Sequence, residues 1–338
     1  MKAVRLYAAG DLRVEDIAPP SVPRAGEARV TVSAAGICGS DLHNFRTGAW
    51  ISRSPSVAGH EFAGRVAAVG EGVTGLAVGD AVVADSRVTC GVCAACRGGR
   101  PNVCEKLGFV GEVWEGGFAE EVVLPASLLI KAPDGVDPLA LAMAEPLAVA
   151  LHAIKRLSAP AGSSVLIAGC GPIGGLAALI LAERHDGPVL VADRNADRAG
   201  RVAEVTGARI VDLSAEAVVG ALAGAPLLAA LDATGHPGVI GTLLDLLSPG
   251  GTLALVGIGH GSLAIDPVRL VEREIALVGC HAFTDELPEA VALMPAFEDR
   301  LLALVDETID LDGVPAAYER LLAGRSMGLK TIIKPRSA

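Results

Sequence analysis

Aromatic residues are scarce in this chain: Phe, Tyr and Trp together make up only 3% of its 338 residues. Its core must therefore be built from the abundant Ala, Val, Leu and Gly, a composition that suits buried parallel strands flanked by closely packed helices. Basic residues are also few, 28 Lys and Arg against 39 Asp and Glu, for a net charge of -11. Nucleic-acid binding needs clustered cations, and that class of partner is excluded. A long unbroken apolar run is missing as well. The nearest approach, Val165 to Ala182, is interrupted by Gly169, Gly171, Pro172, Gly174 and Gly175, and reads as a strand, a turn and a helix rather than a membrane span. The opening MKAVRLYAAG has no basic region followed by an apolar core, so no export signal is expected. A cytoplasmic protein with reduced thiols follows. There is no fixed-period repeat and no long charge run. The partners expected are small molecules and further copies of the chain, with no membrane.

Against this background four cysteines stand out. Cys90, Cys93, Cys96 and Cys104 fall in the turn-rich stretch CGVCAACRGGRPNVC. Two-residue gaps let successive thiolates converge on one ion at about 2.3 Å while the backbone turns between them. Two disulfides are the rival reading. The stretch has little else to fold around, Val92 and Val103 being its only sizeable apolar residues. A structural zinc contributes about 10 to 16 kcal/mol and would order it. Four protein ligands leave no open position, so this zinc is structural.

A chain of this length exceeds one core and predicts two domains. The first part carries short strands punctuated by Gly and Pro: KAVRLY, ARVTVSAAG, FAGRVAAVG, DAVVAD and FAEEVVLP, the pattern of a small barrel-like β domain. AEPLAVALHAIKRL then has helical periodicity, and six apolar strands follow in alternation with helix-like segments: SVLIAG, PVLVAD, ARIVDL, LLAALDATG, TLALVG and EIALVGC. Six buried strands with crossovers make a doubly wound parallel sheet, hence an α/β fold. The last segment, with helix-like DELPEAVALMPAF and the strand GLKTIIKP, does not extend the alternation and is expected to return to the first domain.

Gly169-Cys170-Gly171-Pro172-Ile173-Gly174 is a GxGxxG directly after SVLIAG and at the start of a helix. In that context the first glycine permits the turn, the second admits a pyrophosphate, and the third lets helix and strand pack closely. Helix-terminal N–H groups then bind the phosphates. PVLVAD ends in Asp193, near the distance at which an acid grips the ribose hydroxyls. A carboxylate there opposes a 2'-phosphate by up to about 4 kcal/mol per unit charge at ~4 Å, favouring NAD over NADP. Arg194 and Arg198 would soften that preference. Val256, Gly257 and Ile258, at the end of TLALVG, are expected to border the nicotinamide.

Cys38 lies in GICGSDLH, His60 and Glu61 in GHE, and Glu145 opens EPLAVALHA. Each alone reads as a core or surface residue. Together a thiolate, an imidazole and a carboxylate make a mixed zinc site with one position open, where an alcohol oxygen would lose proton affinity. Metal and dinucleotide side by side define a dehydrogenase.

With GICGSDLH, GHE, the cysteine lobe, AEPLAVALHA and GCGPIG in one order, the chain resembles the zinc-dependent medium-chain dehydrogenases over essentially its whole length. The resemblance implies a GroES-like catalytic domain over 1–148 and 283–338, a Rossmann NAD-binding domain over 149–282, and a structural zinc lobe at 88–106. It implies NAD and two zinc ions per chain, one catalytic and one structural, the catalytic one held by Cys38, His60 and either Glu61 or Glu145. It further implies a proton path from Ser40, in an extended or turning segment, through His43. Similar enzymes assemble as homodimers or homotetramers, and an exposed edge at EIALVGC would serve such pairing.

AEPLAVALHA, SDLH, TGHPG and REIALVGCHAFTDE are most similar to sorbitol and L-idonate 5-dehydrogenases. The implied reaction is reversible oxidation of a secondary alcohol of a polyol or sugar acid to a ketone. Butanediol-type and sugar-phosphate dehydrogenases are the alternatives within the family; a non-catalytic scaffold and a zinc-free quinone reductase are disfavoured. Where the sorbitol and idonate enzymes place an Arg, this chain has Ala282 after His281, removing a planar clamp for hydroxyls or a carboxylate. Trp50, Phe109 and Phe283 are candidates to complete the pocket.

Overall fold

Alternate residues of EARVTVSAAG are apolar, and the segment Glu27–Gly36 forms a strand that buries Ala28, Val30, Val32 and Ala34 on one face. This strand is the hub of a seven-stranded sheet in a computed structural model describing residues 1–259, 261–326 and 328–336. It pairs antiparallel with Glu61–Val69, Glu121–Pro125 and Lys330–Ile333, the last arriving from the far end of the chain. Val305–Ile309 pairs parallel with Lys330–Ile333 and forms one edge; Ala81–Ala84 and Leu129–Lys131 continue the sheet on the other side. A smaller antiparallel sheet joins Asp11–Asp16, Lys2–Ala8 and Ser56–Val57. Val30, Val32, Phe62, Phe118, Leu124 and Tyr318 pack into one buried cluster. Three of the scarce aromatic residues, Phe62, Phe118 and Tyr318, are thus spent at the centre of this unit.

Contact density divides the described chain into two compact units. One comprises Met1–Glu145, Thr284–Ser326 and the last strand; the other comprises Pro146–Phe283 with a short piece at 328–329.

The second unit holds six parallel strands in the order Arg209–Ile210, Val189–Ala192, Ser164–Ala168, Leu227–Asp232, Thr252–Leu255 and Ala276–Gly279. All six strands expected from the apolar runs are present. The chain starts near the middle and works outward in two directions, the doubly wound arrangement, with a topological switch beside Ser164–Ala168. Every residue of that strand is buried, as a strand covered on both faces requires. Its helix, Pro172–Arg184, starts with Pro at the first turn, where a missing N–H costs nothing, and is buried from Gly174 to Leu181. Leu166, Leu190, Ala230, Leu243 and Leu253 form the core of this unit. Among the described residues no helix is long and apolar enough to cross a membrane.

Candidate active site and metal centres

Ile37 and Cys38 leave the hub strand in extended conformation, and Cys38, at φ -92° and ψ 153°, caps the helix Gly39–Thr47. Asp41, at the third helical position, reaches back to accept the backbone N–H of Cys38 at 2.8 Å. The segment holding Ser40 is therefore helical, not extended or turning as the sequence suggested. The polar residues Cys-Gly-Ser-Asp gave no apolar period, but Asp three residues after the cap is a helix-start signal in hindsight. The helix stops at Gly48, whose φ of 67° lies in the left-handed region.

Beside this helix start, GHE enters the strand Glu61–Val69. The sulfur of Cys38, a ring nitrogen of His60 and a carboxylate oxygen of Glu61 lie within 4.8 Å of one another. His60 Nδ1 faces Asp41 at 3.4 Å, and its Nε2 lies 3.4 Å from the Ser40 hydroxyl. A carboxylate on one ring nitrogen fixes the tautomer that leaves the other free to bind a metal. Burial opposes a charge on His60, but Asp41 and then Cys38 outweigh it and hold the imidazole well above its ordinary range. The sequence reading passed over Asp41, although it sits inside GICGSDLH.

Two acids accompany the pair. Glu61, 1% exposed, is held by Lys330 Nζ at 2.6 and 2.9 Å, and the same ammonium donates to Ile37 O at 3.2 Å. Lys330 is 269 residues away in the chain and had no local signal. Glu145, in the first turn of the helix Ala144–Leu157, accepts from the buried Ser86 hydroxyl at 2.6 Å through Oε1. Burial pushes the pKa of this carboxyl up to about 7, His60 opposing and Glu61 adding to the rise. Glu145 lies outside the three-residue donor grouping. A small pocket opens on this cluster, lined by Ser40, Asp41, Phe45, His60, Glu112 and Tyr318 among others. The His43 ring lies tilted against Trp50, with centroids 4.3 Å apart, and its Nε2 lies 3.3 Å from the Thr47 hydroxyl. Phe109 stands 6.4 Å from the His60 ring, whereas Phe283 is fully buried and serves as core. Ala282 has a φ of 48°.

The cysteine lobe contains the short helix Ala94–Arg97 and a turn at Pro101–Val103. All seven cysteines are free thiols, which excludes the disulfide reading. Cys104 Sγ lies 3.5 Å from Cys90 Sγ and 3.9 Å from Cys93 Sγ. Four sulfurs around one zinc at about 2.3 Å would stand about 3.8 Å apart, so the quartet is already shaped for the ion. Backbone N–H groups of Cys90, Cys93, Cys96 and Lys106 point at the sulfurs at 3.3 to 3.5 Å. Such donors favour thiolates, and those of Cys96 and Glu105 lower the Cys93 thiol to about 6.

In the parallel-sheet unit Gly169 turns at φ 97°, and a side chain at Gly174 would strike the carbonyl of Gly169. At Gly171, which caps the helix, an added Cβ would meet nothing within 4 Å. The turn is thus tight where backbone packs on backbone and open where a phosphate would enter, and the residues fit a dinucleotide. Asp193 accepts the N–H of Cys170 at 2.7 Å and of Asn195 at 2.7 Å, and pairs with Arg198 at 3.0 Å; Arg194 is exposed. Burial first, then Asp193, drives the Cys170 thiol up to about 12, so it is inert at neutral pH. Val256 and Gly257 donate to Asp232 O, and Ile258 is 63% exposed.

Comparison with known proteins bears on all of these features. Residues 24–134 match the family model described as the alcohol dehydrogenase GroES-like domain, and 172–296 the one described as zinc-binding dehydrogenase. The L-galactonate-5-dehydrogenase of Escherichia coli K12 is 34% identical over 269 residues, covering 78% of each chain. The sorbitol dehydrogenase of Bacillus subtilis is 28% identical over 99% of this chain and 97% of its own. An alcohol dehydrogenase (rspB) of Escherichia coli CFT073, solved with the cofactor NADH, superposes with a TM-score of 0.90 at 30% identity, covering 99% of both chains.

Proposed function

Because this chain belongs to the zinc-dependent medium-chain dehydrogenases, oxidoreductases that act on CH–OH groups, we propose that it reversibly oxidises the secondary alcohol of a polyol or sugar acid to a ketone with NAD as acceptor. The observation that carries this reading is the convergence of Cys38, His60 and Glu61 beside a pocket that also presents Ser40. When bound, zinc supplies the Lewis acidity that lowers an alcohol's proton affinity, and the nicotinamide supplies the acceptor for hydride.

The chain's own residues do the rest. Cys38 and His60 would hold the metal, with the carboxylate of either Glu61 or Glu145 as the third donor. Glu61 stands nearer but has both oxygens on Lys330, while the hydrogen bond to Glu145 falls on Oε1 alone. Asp41 aims the imidazole. Ser40 offers a hydroxyl that accepts a proton from the substrate hydroxyl, and His43, one helical turn further, passes it outward. Gly169, Gly171, Pro172, Ile173 and Gly174 cradle the pyrophosphate, with Asp193, Arg194 and Arg198 at the adenosine ribose and Val256, Gly257 and Ile258 at the nicotinamide. Cys90, Cys93, Cys96 and Cys104 hold a second, structural zinc. The strand Ala276–Gly279 is an outer strand of its sheet and largely exposed, which supports pairing with a second copy into a dimer.

A screen of polyols with NAD, following the absorbance of reduced cofactor, tests the reading together with Ser40→Ala. That variant is expected to lose about 100-fold in kcat with two zinc ions per chain retained, as removal of a proton-transfer group does. Loss of metal in Ser40→Ala would make the hydroxyl structural, and absence of alcohol-dependent reduction across the screen would overturn the activity.

A further inference from the structure

The loop that closes the pocket is fixed by glycines. At Gly111 and Gly116 any Cβ would press on the backbone of Ala58 and Gly59, and at Gly59 it would strike the Phe118 ring. Gly116 N and Gly117 N donate to Val57 O and Gly59 O at 2.8 Å, and the hydroxyls of Ser52 and Ser56 hold the carbonyls of Glu112 and Gly111 at 3.1 Å. Residues 111–117 are therefore laid directly on the segment that ends in His60. Two acids ride on this loop, with different fates. Glu115 is consumed by the fold: its carboxylate accepts Val57 N at 2.6 Å and pairs with Arg53 at 3.0 Å. The Glu112 backbone is just as firmly held, yet among the described residues no hydrogen bond or ion pair reaches its half-buried carboxylate, which lines the pocket with Ser40 and His60. Partly withdrawn from water and without a protein partner, this acceptor is open to a ligand that can satisfy it.

We propose that Glu112 is a specificity-determining residue of this reaction: its carboxylate accepts a hydrogen bond from a hydroxyl or ammonium group on the carbons beside the reacting alcohol, and turns away substrates that carry a carboxylate or phosphate there. This rests on the dehydrogenase reading above and narrows it from polyols and sugar acids to uncharged or cationic alcohols. The chain then parts in substrate charge from relatives named for sugar acids, such as the L-galactonate enzyme.

The test uses zinc-loaded enzyme with NAD at pH 9, where the carboxylate is ionised, and matched pairs: xylitol with xylonate, sorbitol with gluconate, and 1-amino-2-propanol as the cationic arm. Wild type is expected to favour the neutral member at least tenfold in kcat/KM. Glu112→Gln, which keeps the shape and removes the charge, is expected to shrink that ratio about tenfold, through KM, with kcat for the polyol within twofold, the size a single like charge sets at pocket distances. Glu112→Asp should restore part of the ratio, and Glu112→Ser serves if the amide fails to fold. Calorimetric binding of the same pairs to the NADH complex reads the pocket independently of turnover. Binding that follows the charge at position 112 without turnover refutes the reaction and keeps the specificity role. An unchanged ratio, a wild-type preference for the anions, or no binding of either member overturns it.

Discussion

The two groups of metal donors in this chain are built on opposite plans. The cysteine quartet comes from fifteen successive residues, four identical soft donors on partly exposed turns, with its own backbone N–H groups as the supporting shell. The Cys38 group joins a helix cap to the start of one strand with three donor types, and the buried Glu145, from the start of a distant helix, acts on His60 and Glu61 by its charge. Its support comes from Asp41, Ser86 and Lys330. A closed cage needs only to be filled. A reactive site must keep one position open and hold the remaining groups against their own repulsion, which requires partners brought in from elsewhere.

That contrast can be broken at its strongest point by removing the counter-charge. Lys330→Ala would leave Glu61 buried and unpaired, a change expected to destabilise by about 3 to 5 kcal/mol. Urea denaturation of the zinc-loaded protein measures it, and a loss under 1 kcal/mol would mean the pair is not needed to hold the site. The local site should respond locally. Cys96→Ser is expected to release one zinc per chain and to speed tryptic cleavage after Arg97 at least tenfold, while the ion at Cys38 stays, because the lobe has almost no core besides its metal. Metal analysis with mass mapping of the fragments decides this; loss of both ions would show the two sites to be coupled. The smallest effect belongs to the outer support of His60. Asp41→Asn keeps the size but weakens the acceptor for Nδ1, and about 10- to 100-fold in zinc affinity or activity should follow. Competition with a chromophoric chelator reads the affinity, and an unchanged value would make Asp41 a helix-capping residue alone.

The same contrast explains what the sequence disclosed. A cage whose donors are two residues apart, or a glycine turn between an apolar strand and a helix, is written in consecutive residues, so Cys90 to Cys104 and Gly169 to Gly174 were legible. The six strands of the parallel sheet were legible too, because strands covered on both faces are continuous apolar runs. Strands of two residues, such as Ser56–Val57 and Arg87–Val88, are too short to carry a period and went unseen. Lys330 lies in an unremarkable terminal strand, and nothing near it announces a carboxylate at Glu61. Glu112 and Glu115 are alike in sequence, three residues apart in one loop. Only the fold shows that one carboxylate is consumed by a backbone amide and an Arg while the other is left facing the pocket.

The glycine contacts between residues 111–117 and the segment before His60 have a consequence for how such an enzyme changes over time. Because main chain rests on main chain there, the path of the chain into His60 is set by atoms that every side chain at position 112 shares. Substrate preference can drift by single replacements at that position while the catalytic geometry is inherited intact, so new chemistry need not be relearned each time a new alcohol is adopted.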